Sequence, residues 1–228
     1  MSTFVSLQVM GRWNWLAALP ESVREAVAER SDQVNVESGE SIYRQGDKAT
    51  ALYQVLEGRV QMRAYSREGK ELLYQHMEPG DCFGELGLID GKPYHHDAHA
   101  STATALLRLD RGNFLNLRRV YPEINEQLLQ LLAQRTRVIY ETFEGALLLD
   151  VPRRLAGRLL ELGSATSNTC TDDLEITCSH EDLAKMIGSS RQSVSAIIKD
   201  WERQELLQQA YGRIRLLKPR ELAELIED

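Results

Sequence analysis

The stretch HEDLAKMIGSSRQSVSAIIK, residues 180–199, determines the fold that we expect for the C-terminal part of the chain. Its first half predicts a short helix from Glu181 to Ile187, in which the small side chain of Ala184 lets a second helix cross closely. Gly188 supplies the positive φ that a tight turn requires, and Ser190 is placed to cap the second helix. The stretch therefore predicts a helix-turn-helix.

The second helix divides into an apolar and a polar face. Its expected buried side chains recur at helical spacing and are Val194, Ile197, Ile198 and Trp201. The opposite face carries Arg191, Gln192, Ser195 and Lys199. Arginine can pair with O6 and N7 of guanine, and glutamine with N6 and N7 of adenine. This face therefore predicts a recognition helix for the major groove of double-stranded DNA.

A hairpin is expected after this helix. Leu206-Leu207, a turn over residues 208–212 and Ile214-Arg215-Leu216 form a predicted wing with Arg213 near its tip. Hydroxyl and ammonium groups that contact phosphates fix the register of a protein on DNA, and we expect this from Ser190, Ser193 and Lys199. The complete predicted DNA-binding set is Ser190, Arg191, Gln192, Ser193, Ser195, Lys199 and Arg213. The alternative is an ordinary pair of helices with a solvated polar face.

Residues 34–109 have the pattern of short strands separated by turns. Alternating residues such as Val60, Met62 and Ala64 are followed by hairpin signals such as Glu68-Gly69. Regular spacing of this kind predicts an antiparallel roll. The fold class expected for the chain is α+β, with an N-terminal antiparallel β-roll, a long dimerisation helix and a C-terminal winged helix-turn-helix.

A long helix is predicted to begin at Pro122, which suits a first helical turn because it lacks an N–H. Two stripes at helical spacing follow it: Ile124, Leu128, Leu131, Arg135, Val138 and Thr142, and Leu129, Leu132, Thr136, Ile139 and Phe143. Two adjacent stripes favour packing on the roll and on a partner helix. A core helix of a monomer is the alternative, and Arg135 either fixes the register or lies at the edge of its stripe. Beyond this helix we expect a helix from Arg153 to Leu162, a loop from Gly163 to Asp173, and a mostly helical remainder with one hairpin.

Composition restricts the class of protein. The 228 residues are 43% hydrophobic and 27% charged with a net charge of −7, which is ordinary for a folded globular chain. Basic residues nevertheless outnumber acidic ones between His180 and Arg220. No stretch has the length of a membrane span, and Met1 to Trp15 lack a secretory pattern. The three cysteines, Cys82, Cys170 and Cys178, predict neither a disulfide framework nor a zinc site, and a reducing cytoplasm is expected.

The roll pattern followed by a winged helix-turn-helix resembles the cAMP receptor protein/fumarate–nitrate regulator family of bacterial transcription factors. The matching roll residues are Gly39-Glu40, Gly46-Asp47, Tyr53, Gly58, Gly80-Asp81 and the run Phe83-Gly84-Glu85-Leu86-Gly87-Leu88. The resemblance implies a homodimer on an inverted repeat of DNA, contact with RNA polymerase, and effector control through the roll. It implies a sensing domain over residues 1–118, a dimerisation helix over 119–148 and a DNA-binding domain over 149–228. Many members have Glu where Gln192 stands and Arg where Ala196 stands, so a different DNA half-site is expected.

In members that bind cyclic nucleotides, the glutamate that corresponds to Glu85 contacts the ribose, and an Arg-Ser pair about a dozen residues later holds the phosphate. Tyr94-His95 or His95-His96 stands there in this chain. The polar pair that contacts adenine is replaced by Ile139-Tyr140. The resemblance implies an effector site at Gly84, Glu85, Leu86, Tyr94, His95 and His96, and a response to cAMP in the usual way is not expected.

Several interpretations of the roll remain open from the sequence. It binds another effector, such as a different nucleotide, through Lys92, His95 or His96; it senses through haem or a metal; or it is a scaffold with a solvated loop after Gly91. An iron–sulfur cluster is not supported, because no cysteine precedes Cys82. The competing classes are a nucleotide-binding regulatory subunit for a protein partner and a cupin-type enzyme. No arrangement of catalytic residues or metal ligands is predicted, because His95, His96 and His99 lack the His-x-His spacing of cupins.

Overall fold

A computed structural model describes residues 13–166, 174–210 and 212–227. The chain divides into two compact units, of which one ends at Thr136 and the other begins at Arg137. Within those described ranges, no helix combines the length and the apolar character that crossing a membrane requires.

From residue 13 onward, the first unit contains a short 3₁₀ turn, Leu16–Ala18, a helix, α1 (Glu21–Ala28), and eight strands. The strands are β1 (Asp32–Val36), β2 (Ser41–Tyr43), β3 (Ala51–Glu57), β4 (Val60–Tyr65), β5 (Glu71–Met77), β6 (Cys82–Phe83), β7 (Asp97–Ala100) and β8 (Thr104–Asp110). They form two four-stranded antiparallel sheets in the orders β1-β8-β3-β6 and β2-β7-β4-β5. The predicted antiparallel roll is confirmed.

The turn between β3 and β4 depends on a glycine, which is why the sequence indicates where β3 ends. Gly58 has a φ of +84°, and a Cβ added there would lie 2.4 Å from the carbonyl oxygen of Ala103. Only glycine combines this backbone conformation with such a close approach. The chain therefore turns at Gly58 and passes from β3 in one sheet to β4 in the other.

Three helices follow within or beyond the roll: α2 (Glu85–Asp90), α3 (Arg111–Val120) and α4 (Pro122–Leu148). As predicted, α4 begins at Pro122. Its Ile124, Leu128 and Leu131 are buried, whereas Leu129 on the second stripe is 69% exposed. The first stripe continues at Arg135 with a charged contact to the roll, which is described below. The limit expected at residue 118 falls inside α3, and the three-domain division stays a prediction.

The second unit contains the end of α4 together with α5 (Val151–Thr166), β9 (Leu174–Thr177), α6 (His180–Ile187), α7 (Arg191–Arg203), β10 (Leu207–Ala210), β11 (Arg213–Leu216) and α8 (Pro219–Glu227). A three-stranded antiparallel sheet has the order β10-β11-β9. Its helices and strands enclose one apolar core, which includes Leu159, Leu183, Val194, Ile198 and Trp201. The predicted helix-turn-helix and the hairpin after it are confirmed.

The second unit differs from the sequence expectations around α5 and β9. The helix predicted over Arg153 to Leu162 extends from Val151 to Thr166, and a strand, β9, begins a region expected to be mostly helical with one hairpin. Gly163 was interpreted as the start of a loop, but it lies in α5 opposite Leu174, whose Cβ would be 3.1 Å from a Cβ at that position. The glycine is used for close packing of a helix on a strand. The remainder of the expected loop, with Cys170, lies outside the described residues.

Candidate nucleic-acid interface and roll interior

The turn between α6 and α7 is held by hydrogen bonds and a glycine conformation at three points. Ser179 Oγ accepts from the backbone N–H of Asp182 at 3.0 Å and caps α6. Gly188 has a φ of 65°, which ends α6 in a left-handed conformation. Ser190 Oγ accepts from the backbone N–H of Ser193 at 3.1 Å and caps α7, as expected. These contacts fix where the first turn of α7 begins.

The faces of α7 separate as its spacing predicts. Val194, Ile198 and Trp201 are buried, and Ile197 is partly buried against the same core. The outward side chains line one open hollow of about 550 Å³, and these are Arg191, Gln192, Ser195, Ala196 and Lys199. We call this surface the recognition face. The structure thus brings four of the predicted DNA-binding residues together beside Ala196.

The other predicted DNA-binding residues lie at its borders. Ser190 and Ser193 are exposed, and their hydroxyls are 2.9 Å apart within the helix cap. In the wing, Arg213 lies on the exposed side of β11, where its Nη1 is 2.8 Å from Glu175 Oε1. Its charge is therefore partly compensated in the free protein. Because the side chains of Arg213 and Glu175 are 63% and 50% exposed, solvent screening weakens this pair.

His180 begins the stretch that predicts the helix-turn-helix, but the sequence pattern predicts no role for it. It is the first residue of α6, and its Nδ1 lies 2.9 Å from Ser195 Oγ on the recognition face. Partial burial lowers the pKa of His180 from its usual range, a hydrogen bond with Gln209 opposes that shift, and the charges of Arg191 and Lys199 reinforce it. Nothing in the local sequence pattern pairs residue 180 with residue 195, since the contact arises from the crossing of the two helices.

In the roll, the predicted effector residue Glu85 is engaged by the long helix. Glu85 is 1% exposed, and Arg135 Nη1 forms an ion pair with its Oε1. Arg135 Nη2 also donates to the carbonyl oxygen of Cys82 at 2.7 Å, and its guanidinium lies 5.3 Å from the ring centre of Trp13. Arg135 therefore contacts the roll from α4 and does not lie at the edge of its stripe.

Some polar atoms at this contact have no hydrogen-bond partner among the described residues. Oε2 of Glu85 and Nε of Arg135 are buried without a hydrogen-bond partner there, and so is the hydroxyl of Tyr43. Burial, followed by the negative charge of Glu85, raises the pKa of Tyr43 well above its usual range. The Tyr43 hydroxyl thus keeps its proton beside the carboxylate.

Aromatic side chains fill the space beside Glu85. The rings of Tyr43 and Tyr94 stack at 3.7 Å between centroids, and Tyr53 stacks on Phe83 at 5.4 Å. The Tyr94 hydroxyl donates to the carbonyl oxygen of Ala51 at 2.6 Å and accepts from its N–H at 3.1 Å. The interpretation of the segment after Gly91 as a solvated loop is wrong at Tyr94, which is 5% exposed because it completes this aromatic cluster.

The two adjacent histidines have different environments. His95 is exposed, whereas His96 is half-buried, with its ring centre 6.3 Å from that of Tyr43 and 5.9 Å from that of Tyr74. Burial, together with the charges of His95 and Arg135, lowers the pKa of His96 to about 4. At neutral pH the imidazole of His96 is therefore uncharged and does not supply a cation for a phosphate.

Gly84 and Leu86 flank Glu85 at the start of α2. Gly84 has a φ of 90°, and a Cβ there would lie 3.1 Å from the carbonyl oxygen of Ala51. Leu86 is 42% exposed, so its side chain is not enclosed by the roll. Cys82 is fully buried, and its burial raises the pKa of the thiol, which suits a packing role.

Comparison with known proteins extends these findings over most of the chain. Residues 33–121 match the family model of the cyclic nucleotide-binding domain, and residues 153–225 match that of the Crp-like helix-turn-helix domain. The chain is 32% identical over 178 residues to the cAMP-activated global transcriptional regulator CRP of Salmonella typhimurium, covering 77% of this chain and 84% of that protein. It is 28% identical over 196 residues to the CRP-like cAMP-activated global transcriptional regulator of Mycobacterium tuberculosis, covering 85% and 88%.

Solved structures show the same architecture. A transcriptional regulator of the CRP/FNR family from Thermus thermophilus has a TM-score of 0.69 and 29% identity, with 86% of this chain and 99% of that chain covered. FixK2 from Bradyrhizobium japonicum, at 20% identity, has a TM-score of 0.77 with 86% and 96% covered, and supports the fold alone.

Proposed function

The chain belongs to the cAMP receptor protein/fumarate–nitrate regulator family of DNA-binding transcription regulators, and we propose that it acts as a homodimer on an inverted repeat, under control of a small effector that is not cAMP acting in the usual way. Its relatives are transcriptional regulators and not enzymes. Under this proposal residues 1–118 sense the effector, 119–148 dimerise and 149–228 bind DNA. Contact with RNA polymerase and a cytoplasmic location are parts of the same proposal.

The observation that carries the DNA-binding proposal is the recognition face. Arg191, Gln192 and Lys199 are exposed on one side of α7, while the opposite side is anchored in the core. A rigid helix with exposed donors near its N-terminus can enter the major groove and pair with base edges. The roles of the individual side chains in base and phosphate contacts remain proposals.

Replacing Arg191 tests base recognition. Arg191→Ala is expected to weaken binding to a selected inverted-repeat duplex by about 1–3 kcal/mol per half-site, and to leave affinity for random duplex nearly unchanged. Fluorescence anisotropy with a duplex selected from a random-sequence pool measures both. Arg203→Ala is the matched control, because Arg203 lies on the same helix but pairs with Asp200 at 3.0 Å near its C-terminal end. An equal loss on both duplexes would show that Arg191 contacts only the backbone.

The proposal that cAMP is not the usual effector rests on three features of the roll. The residues at the expected phosphate position are a buried Tyr94, tied to the backbone of Ala51, and an uncharged His96. The ribose-binding candidate Glu85 is closed from solvent and paired with Arg135. A ligand that recruits Glu85 must first displace Arg135, so effector binding at this position acts directly on α4.

Calorimetry tests this part of the proposal. Loss of the charge-assisted phosphate contact is worth about 1.5–3 kcal/mol, so cAMP is expected to bind about tenfold to a hundredfold more weakly than it binds a cAMP-activated relative measured in parallel. A thermal-shift screen of other nucleotides follows on the same preparation. Tight and stoichiometric binding of cAMP would contradict the proposal and show that the aromatic cluster opens to admit the nucleotide.

A further inference from the structure

The recognition face includes a titratable contact that base recognition does not require. His180 Nδ1 is 2.9 Å from Ser195 Oγ, and Ser195 lines the hollow between Arg191 and Lys199. The Gln209 side chain of β10 also forms a hydrogen bond with His180. The imidazole thus connects α6, the recognition helix and the wing at the surface that DNA would approach.

The charged groups around His180 come from α6 and α7. Arg191 and Lys199 of α7 are the nearby cations. Gln209 Nε2 donates to Glu202 Oε2 at 2.8 Å, which leaves the Gln209 carbonyl oxygen to accept from the imidazole. On α6 itself, Glu181 pairs with Lys185 at 3.3 Å, and Asp182 is the other acidic residue of the first turn. The cations that disfavour a second positive charge are the same ones that DNA phosphates would neutralise.

We propose that His180 is a proton-linked DNA-contact residue, whose imidazole takes up one proton from solvent when a DNA phosphate docks on the recognition face, so that DNA affinity rises as the pH falls. This inference rests on the proposed DNA-binding function. In the neutral tautomer that carries its proton on Nε2, Nδ1 accepts from the Ser195 hydroxyl. Once Nδ1 is protonated it donates to Ser195 Oγ, and the hydroxyl hydrogen of Ser195 is released for a phosphate oxygen.

The direction of the pH dependence follows from linkage. The pKa of His180 is low in the free protein, mainly through partial burial and then through Arg191 and Lys199, and a docked phosphate raises it. DNA affinity gained in this way is complete below the free pKa and is lost as the pH rises through the bound pKa. Because the ordinary pKa of histidine is about 6.5, the change falls between about pH 5 and 8.

Fluorescence anisotropy of the full chain on a selected duplex, and on a random duplex at low salt, tests this link. From about pH 8 to pH 6, wild-type affinity is expected to rise about three- to tenfold beyond the change shown by His180→Gln. His180→Arg, which keeps a cation at all pH values, is expected to bind tightly without that dependence, and this variant separates a lost proton from a damaged fold. The control His99→Gln removes a histidine of the roll that lies 3.5 Å from Asp97 and is expected to keep the full wild-type dependence.

A second measurement follows the proton itself. Titration calorimetry of DNA binding in two buffers of different ionisation enthalpy is expected to show uptake of up to about one proton per protomer in wild type and none in His180→Gln. Equal pH dependence in wild type and His180→Gln would overturn the inference. Failure of the wild type to bind any duplex at any pH would instead overturn the DNA-binding proposal itself.

Discussion

Replacing Arg135 by leucine is expected to lower the free energy of unfolding of the first unit by about 3–5 kcal/mol, because the Glu85 carboxylate is then left buried without its partner. Urea unfolding followed by tryptophan fluorescence measures this change. The chain has three tryptophans, and a Trp201→Phe background confines the signal to Trp13 and Trp15 in the roll unit. The expected result is a lower urea midpoint for that signal.

The matched control removes both charges. Glu85→Leu combined with Arg135→Leu is expected to recover most of the lost stability, because an apolar pair avoids burying an uncompensated carboxylate. Recovery in the double variant shows that the single loss arises from the unpaired charge and not from the volume of the side chain. A single variant that unfolds within about 1 kcal/mol of wild type would show that the ion pair is not formed in solution.

The fold was largely predictable because its signals are local. Strand alternation, glycine turns and the caps of the helix-turn-helix each involve residues within one element or one turn, and Ser190, Gly188 and Gly58 lie where their chemistry requires. The strand β9 was not predicted, because its sequence, Leu174–Thr177, is too short to show an alternation of apolar and polar residues. Its place is set by pairing with β11, which is distant in the sequence.

The functional groups of the roll were predictable only in part, because their environments come from long-range contacts. Glu85 was identified from its motif, but the sequence does not show that Arg135 reaches it. Tyr94 and His96 were considered as effector ligands from position alone, and only the packing of Tyr43 on Tyr94 shows a closed aromatic cluster. His180 was missed for the same reason, since Ser195 becomes its neighbour only after α6 and α7 cross.

The long helix presents a second face whose apolar side chains remain in solvent. Those of α4 that are more than half exposed are Leu129, Ile139, Tyr140, Phe143, Leu147 and Leu148. Leu129, Ile139 and Phe143 belong to the second predicted stripe, whereas Arg135 of the first stripe contacts the roll. In a twofold dimer, the same helix of a second copy covers this face, so that each of these side chains is buried in both protomers. This arrangement supports the proposed homodimer.

Two charges in that face are expected to separate the proposed dimer. Burial of a large apolar side chain is worth about 1.5–3 kcal/mol, so Ile139→Lys with Phe143→Lys removes four such contributions from a twofold interface and adds four ammonium groups to desolvate. Sedimentation equilibrium is expected to show a monomer, and affinity for an inverted repeat is expected to fall more than about a hundredfold towards that of a single half-site. Val120→Lys, at a position 66% exposed on α3, is the control and is expected to stay dimeric. A dimeric Ile139→Lys/Phe143→Lys protein would place the interface elsewhere, because burying the added ammonium groups without partners at this seam is costly.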